Sequence, residues 1–103
     1  SVVYKSTDNP LSINFDGSIL VKWNCGNHNM KTIDFFTVSA HTQGVTTVVG
    51  AAHPLASEGG DIFFLDTKFS KFVGEIEYSV APVSLGGITG KKHTVGKIIK
   101  GEI

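Results

Sequence analysis

The strongest constraint on this chain is an alternation of period two, cut into short segments by turn residues. In "SILVKWN" (18–24), Ile19, Val21 and Trp23 fall on one face, and Ser18, Leu20 and Lys22 on the other. Successive side chains of a strand point to opposite sides of a sheet, so this pattern fits a half-buried strand. "TIDFFTVSA" (32–40) sets Ile33, Phe36 and Val38 among small or polar neighbours, with one phase slip near Phe35. "VTTVVGA" (45–51) is β-branched, and "DIFFLD" (61–66) is a short apolar run. "IEYSVAPVS" (76–84) alternates through Ile76, Tyr78 and Val80, and "HTVGKIIKG" (93–101) closes the chain. No window carries a sustained helical period with caps.

The breaks are turn chemistry. Asp16-Gly17 in "FDGS" suits a two-residue type I′ turn, because both residues tolerate positive φ. "CGNHNM" (25–30), "TQG" (42–44), "SEGG" (57–60) and "LGGITG" (85–90) are further interruptions. Strands are predicted over 11–15, 18–24, 32–40, 45–51, 61–66, 76–84 and 92–99. Seven short strands at this spacing in 103 residues predict an all-β, seven-stranded antiparallel β-sandwich. Residues 1–10 read as a lead-in or linker, and 11–103 as one domain.

Several segments resemble a known family when taken in order. Trp23 ends an alternating second strand. "TIDFFTV" offers Ile33, Phe36 and Val38 as inward residues of a third. In "KFVGEIEYSV", Phe72 precedes Tyr78 by six positions, and "YSVAPVSLGGITGKKHTVGKIIKG" reads as a final hairpin with its loop. From about Pro10 onward the chain resembles a fibronectin type III domain, of the immunoglobulin-like β-sandwich superfamily. The resemblance implies a core containing Trp23, Phe36, Phe72 and Tyr78. It also implies a tyrosine corner, in which the Tyr78 hydroxyl bonds back to upstream backbone. There are three departures. The turn after Phe72 is "VGE", without the family's usual proline. Pro82 falls at an inward position of a central strand, where proline removes a ladder hydrogen bond, so a bulge or early strand end is expected. The integrin-binding Arg-Gly-Asp of some members is absent.

Composition narrows the partners. Formal net charge is zero and all nine basic residues are lysine. Planar recognition of phosphate or guanine relies mostly on arginine, so nucleic acid is not an expected partner. No apolar run approaches the ~18 residues of a membrane span, so no membrane insertion is expected. The single cysteine, Cys25, allows no intramolecular disulfide. Position 1 is Ser, and no signal peptide is visible, as expected of a processed or excised segment.

The chemical candidates are few. "TVVGAAHPL" (47–55) resembles the strand that delivers a trypsin-like catalytic histidine, which makes His53 a candidate base. A triad also needs a serine on a sharp Gly-flanked turn and a buried carboxylate. Ser57 and Ser84 lack that context, and the simpler reading of His53 is a surface residue. His28, His41, His53 and His93 lie on separate segments, and only Cys25 with His28 approaches metal-ligand spacing. No metal or cofactor is expected. Cys25 at a strand end reads as a small buried filler rather than a nucleophile. "LGGITGKKHT" (85–94) faintly resembles a phosphate loop, but it joins two predicted strands instead of opening a helix. The bland reading is a flexible hairpin loop with solvated lysines. End loops are also the usual binding surface, which makes Lys91, Lys92 and His93 the candidate binding residues. Phe69 is expected to pack under the connection between the sheets.

The expected function is therefore a non-catalytic structural or protein-interaction module, a spacer or docking domain of a larger extracellular, cell-surface or virion protein such as a phage tail. Its partners would be other domains of the same chain, protein partners, or a cell-surface receptor or glycan in cell adhesion. The alternative is an accessory carbohydrate-binding domain of a polysaccharide-degrading enzyme or adhesin. That reading requires a row of exposed aromatics, for which Tyr4, Phe15, Phe35 and Phe69 remain open.

Overall fold

Seven strands are present in the computed structural model, which describes residues 2–26, 31–54 and 60–101. They are β1 (Leu11–Ile13), β2 (Ile19–Asn24), β3 (Ile33–Thr42), β4 (Val45–Ala52), β5 (Asp61–Asp66), β6 (Gly74–Ser84) and β7 (His93–Lys100). They form two antiparallel sheets, one in the order β1-β2-β5 and one in the order β4-β3-β6-β7. The chain is an all-β sandwich. Each predicted segment is a strand, though β1 stops at Ile13, β3 runs on to Thr42 and β6 begins at Gly74.

Alternation builds the core as the period requires. Ile19, Val21 and Trp23 of β2 are buried, and their intervening neighbours are less so. They meet Ile62 of β5 and the inward residues Phe36, Val38, Ile76, Tyr78 and Val80 of the other sheet. The Trp23 and Phe36 rings pack edge to face, with centroids 5.5 Å apart at 71°. Phe72, expected in the core, is only half-buried and packs on its margin, edge to face with Phe69. Its position before the start of β6 leaves one side open to water.

The phase slip near Phe35 is real. Ile33 and Phe36 both point inward because the β3–β6 register shifts between Ile33 and Phe35. A strict period of two would put one of them outside.

Two local expectations need correction. Asp16-Gly17 is not a two-residue type I′ turn. The Gly17 N–H donates to the Asn14 carbonyl and the Asn14 N–H to the Ser18 carbonyl. Positive φ occurs at Gly17 alone in this connection. This is a three-residue loop with a glycine bulge. The reason lies in Asp16, whose Oδ1 accepts from the Ser18 N–H at 3.0 Å and the Ser18 hydroxyl at 2.6 Å. The positive-φ pair expected of type I′ occurs instead at Gln43-Gly44, between the paired residues Thr42 and Val45.

Pro82 neither bulges nor ends its strand. β6 continues to Ser84, with Pro82 buried opposite Phe36. The Pro82 carbonyl accepts from the Gly90 N–H at 2.7 Å. A strand residue points its N–H and C=O to the same side, so the missing donor of Pro82 faces the β6–β7 connection. No bond to β3 is lost.

The expected lead-in is packed onto the body. Lys5 bridges Asn24, the Lys22 N–H bonds the Pro10 carbonyl, and Val2 and Tyr4 rest against the core. Val2 and Tyr4 lie beside the β6–β7 connection, at the end of the sandwich where β7 begins. At the other end, Lys100 is 4% exposed and its Nζ donates to the carbonyls of Gly17, Phe69 and Ser70 at 2.7–2.8 Å. The three protons of the ammonium are matched by three acceptors, which is how a buried charge becomes tolerable.

Candidate functional site

The β6–β7 connection is an ordered turn. The Ser84 N–H bonds the Ile88 carbonyl, the Gly87 N–H bonds the Ser84 carbonyl, and the Ile88 N–H bonds the Ser84 hydroxyl at 3.1 Å. Leu85 is tied across to Thr32, and Gly90 to Pro82. These bonds make residues 84–90 a hydrogen-bonded wall, and Lys91 and Lys92 after it are exposed. It nevertheless holds Leu85 at 70% exposure and Ile88 at 73%.

That wall flanks an open groove of about 730 Å³. Val2, Ile33, Pro82 and Ile88 supply its apolar surface, with Lys91, Lys92 and His93 along one side. No lining residue is acidic among the described residues. The strand order explains the assembly. β6 and β7 are adjacent, so their connection spans the end of the four-stranded sheet, and the start of β3 lies beside it.

His93, the first residue of β7, stacks flat on Tyr4, with centroids 3.9 Å apart and planes 8° from parallel. Burial holds the His93 imidazole below its ordinary range, which favours the neutral ring. Burial also pushes the Tyr4 hydroxyl up to about 12, with a smaller contribution from Cys25. The Tyr4 hydroxyl is buried with no hydrogen-bond partner among the described residues. The charge of the lining itself therefore belongs to Lys91 and Lys92, which are exposed.

The other candidates fall elsewhere. His53 is exposed just after β4, its Nδ1 3.3 Å from the Asp34 carbonyl oxygen and its ring near Phe35. Ser84 is engaged with Ile88 in the turn, and Ser57 lies outside the described residues. Cys25 is buried, and burial raises its thiol pKa, which works against a thiolate nucleophile. His28 lies outside the described residues. Among those described, no three His, Cys, Asp or Glu side chains are grouped to hold a metal.

The Tyr78 hydroxyl donates to Asp66 Oδ2, not to upstream backbone as a tyrosine corner would. Asp66 is the last residue of β5, and its Oδ1 also accepts from the Lys68 N–H at 2.9 Å. A carboxylate within reach outcompetes a neutral carbonyl as acceptor. Sequence reasoning missed Asp66, Lys100, Val2 and Ile88, and it placed Ile33 and Pro82 inward without bringing them together beside a groove.

The chain matches no protein-family model, no curated protein and no solved structure.

Proposed function

We propose that this chain is a fibronectin type III-like module that acts as a non-catalytic spacer or docking domain of a larger extracellular, cell-surface or virion protein. The observation that carries the docking part is the ordered β6–β7 turn, which keeps Leu85 and Ile88 in water beside an apolar groove. A turn fixed by hydrogen bonds loses little freedom on binding, so exposed aliphatics on it are suited to contact. The spacer part draws support from geometry. Val2 lies in the groove beside His93, which opens β7, and Lys100 closes that strand, so the two sit toward opposite ends of β7. The family likeness is supported by the sheet order β1-β2-β5 facing β4-β3-β6-β7, and by Trp23 and Tyr78 in the core. Fold likeness by itself assigns no partner.

A carbohydrate-binding module is the weaker reading. Tyr4 stacks on His93, Phe35 and Phe69 are half-buried, and only Phe15 and Phe63 remain largely exposed, on separate elements.

The test is the intact mass of the native protein that carries this sequence. A mass far above 11.0 kDa supports a module of a larger protein. A mass near that value removes the spacer role.

A further inference from the structure

From the groove beside the β6–β7 turn, we infer a docking site for an extended partner segment that presents one large apolar side chain flanked by carboxylates. This rests on the docking reading above and names the chemistry of the partner. The groove's surface takes the apolar side chain, because Val2, Ile33, Pro82 and Ile88 form it. Its volume of about 730 Å³ is ample for one aromatic or aliphatic group, and small-molecule sites span roughly 300–1,000 Å³. It is not enclosed, so a chain can lie across it rather than enter a closed cavity.

Charge selects the flanks. Lys91 and Lys92 stand exposed in the lining, which holds no acidic residue among those described, and just outside it the exposed Lys31 beside Thr32 is offset by the exposed Asp34 beside Ile33. The chain as a whole has zero net charge, so the lining is a local concentration of positive charge. An acidic segment gains Coulomb attraction there, and a basic one is repelled. Lysines act as mobile point charges, so the site would select for negative charge without fixing carboxylate geometry.

The contact is small. It takes one apolar side chain and its flanks, well short of the roughly 20–30 residues a side of a standard stable interface. The docking is therefore reversible, and its affinity depends on salt.

The test titrates the intact chain with three short peptides and follows its backbone amide resonances. One peptide carries a phenylalanine between glutamates, one the same phenylalanine between lysines, and one an alanine between glutamates. The first should give saturable shifts at Ile33, Ile88 and Gly90 that weaken with added salt. The other two should bind at least tenfold more weakly. Lys91→Glu with Lys92→Glu should abolish binding of the first peptide and improve binding of the basic one. Ile88→Asp should weaken all three. These side chains are exposed, and unchanged thermal melting would verify that each variant folds. Absence of saturable shifts with the acidic phenylalanine peptide overturns the inference, as does equal binding of the basic peptide. The parent-mass measurement is independent, so a large parent with no peptide binding would sink this inference and leave the spacer role standing.

Discussion

Tyr78 donates its hydroxyl proton to Asp66, joining the last residue of β5 to the middle of β6 across the two sheets. Both residues are buried, at 0% and 1% exposure. Tyr78→Phe leaves the carboxylate without its buried donor and should cost about 1.5–3 kcal/mol, the range for a hydrogen bond to a charged group. Tyr4→Phe should behave oppositely, because it removes a buried hydroxyl with no partner among the described residues. That change should be neutral or stabilising by up to about 2 kcal/mol. Urea titrations of the two variants check the contrast. Equal destabilisation would contradict the assigned hydrogen bonding.

Stability should fall at both ends of the pH scale. Tyr4 and Tyr78 hold their protons more tightly folded than at their ordinary value of 10.0, chiefly through burial. Their contribution is complete below pH 10 and is lost as pH rises through the folded values, about 12 for Tyr4. His93 is shifted the other way from 6.5. Its contribution is present above that pH and is lost as pH falls through the lower folded value. Denaturant midpoints across a pH series should show both slopes. The acid slope should shrink in His93→Gln and the alkaline one in Tyr78→Phe.

Lys100→Met keeps an apolar stem but removes the ammonium from three backbone carbonyls in two separate turns. The expected loss is about 2–3 kcal/mol, at the upper end for charge-assisted hydrogen bonds. Amide exchange should accelerate first near Gly17 and Ser70. Uniform acceleration would argue against a local tie.

Gly50 lies under the Phe64 ring. A Cβ there would come within 2.4 Å of the ring, so Gly50→Ala must displace Phe64 from the core margin. Overpacking of this kind costs about 1–3 kcal/mol. Adding Phe64→Leu should recover part of the loss in a double-mutant cycle, whereas additive losses would rule out the contact.

Trp23→Ala should be the most damaging of these changes. The side chain is 2% exposed and packs on Phe36. Loss of a large core aromatic costs about 3–5 kcal/mol. A loss near zero in thermal or urea unfolding would break the core assignment.

The strands were legible because a half-buried sheet imposes its period on the sequence. Ile19, Val21 and Trp23 announce an inward face without reference to any other segment. Even the slip near Phe35 was readable, because two inward residues three apart cannot share a strict period of two. Turn geometry was less legible. Asp16-Gly17 satisfies the rule for type I′, yet hydrogen bonds from Ser18 to the Asp16 carboxylate accompany a longer loop.

By itself the sequence determined the all-β class, the number of strands, most of the buried set and the basic residues Lys91 and Lys92, because these depend on local period and composition. The tertiary structure alone decided which acceptor Tyr78 found, where Lys100 placed its charge, and that Pro82 and Ile33 meet Ile88 in one groove. Those outcomes depend on which side chains the two sheets bring within a few ångströms. Residues as far apart as Gly17 and Lys100 become neighbours only when the sandwich closes.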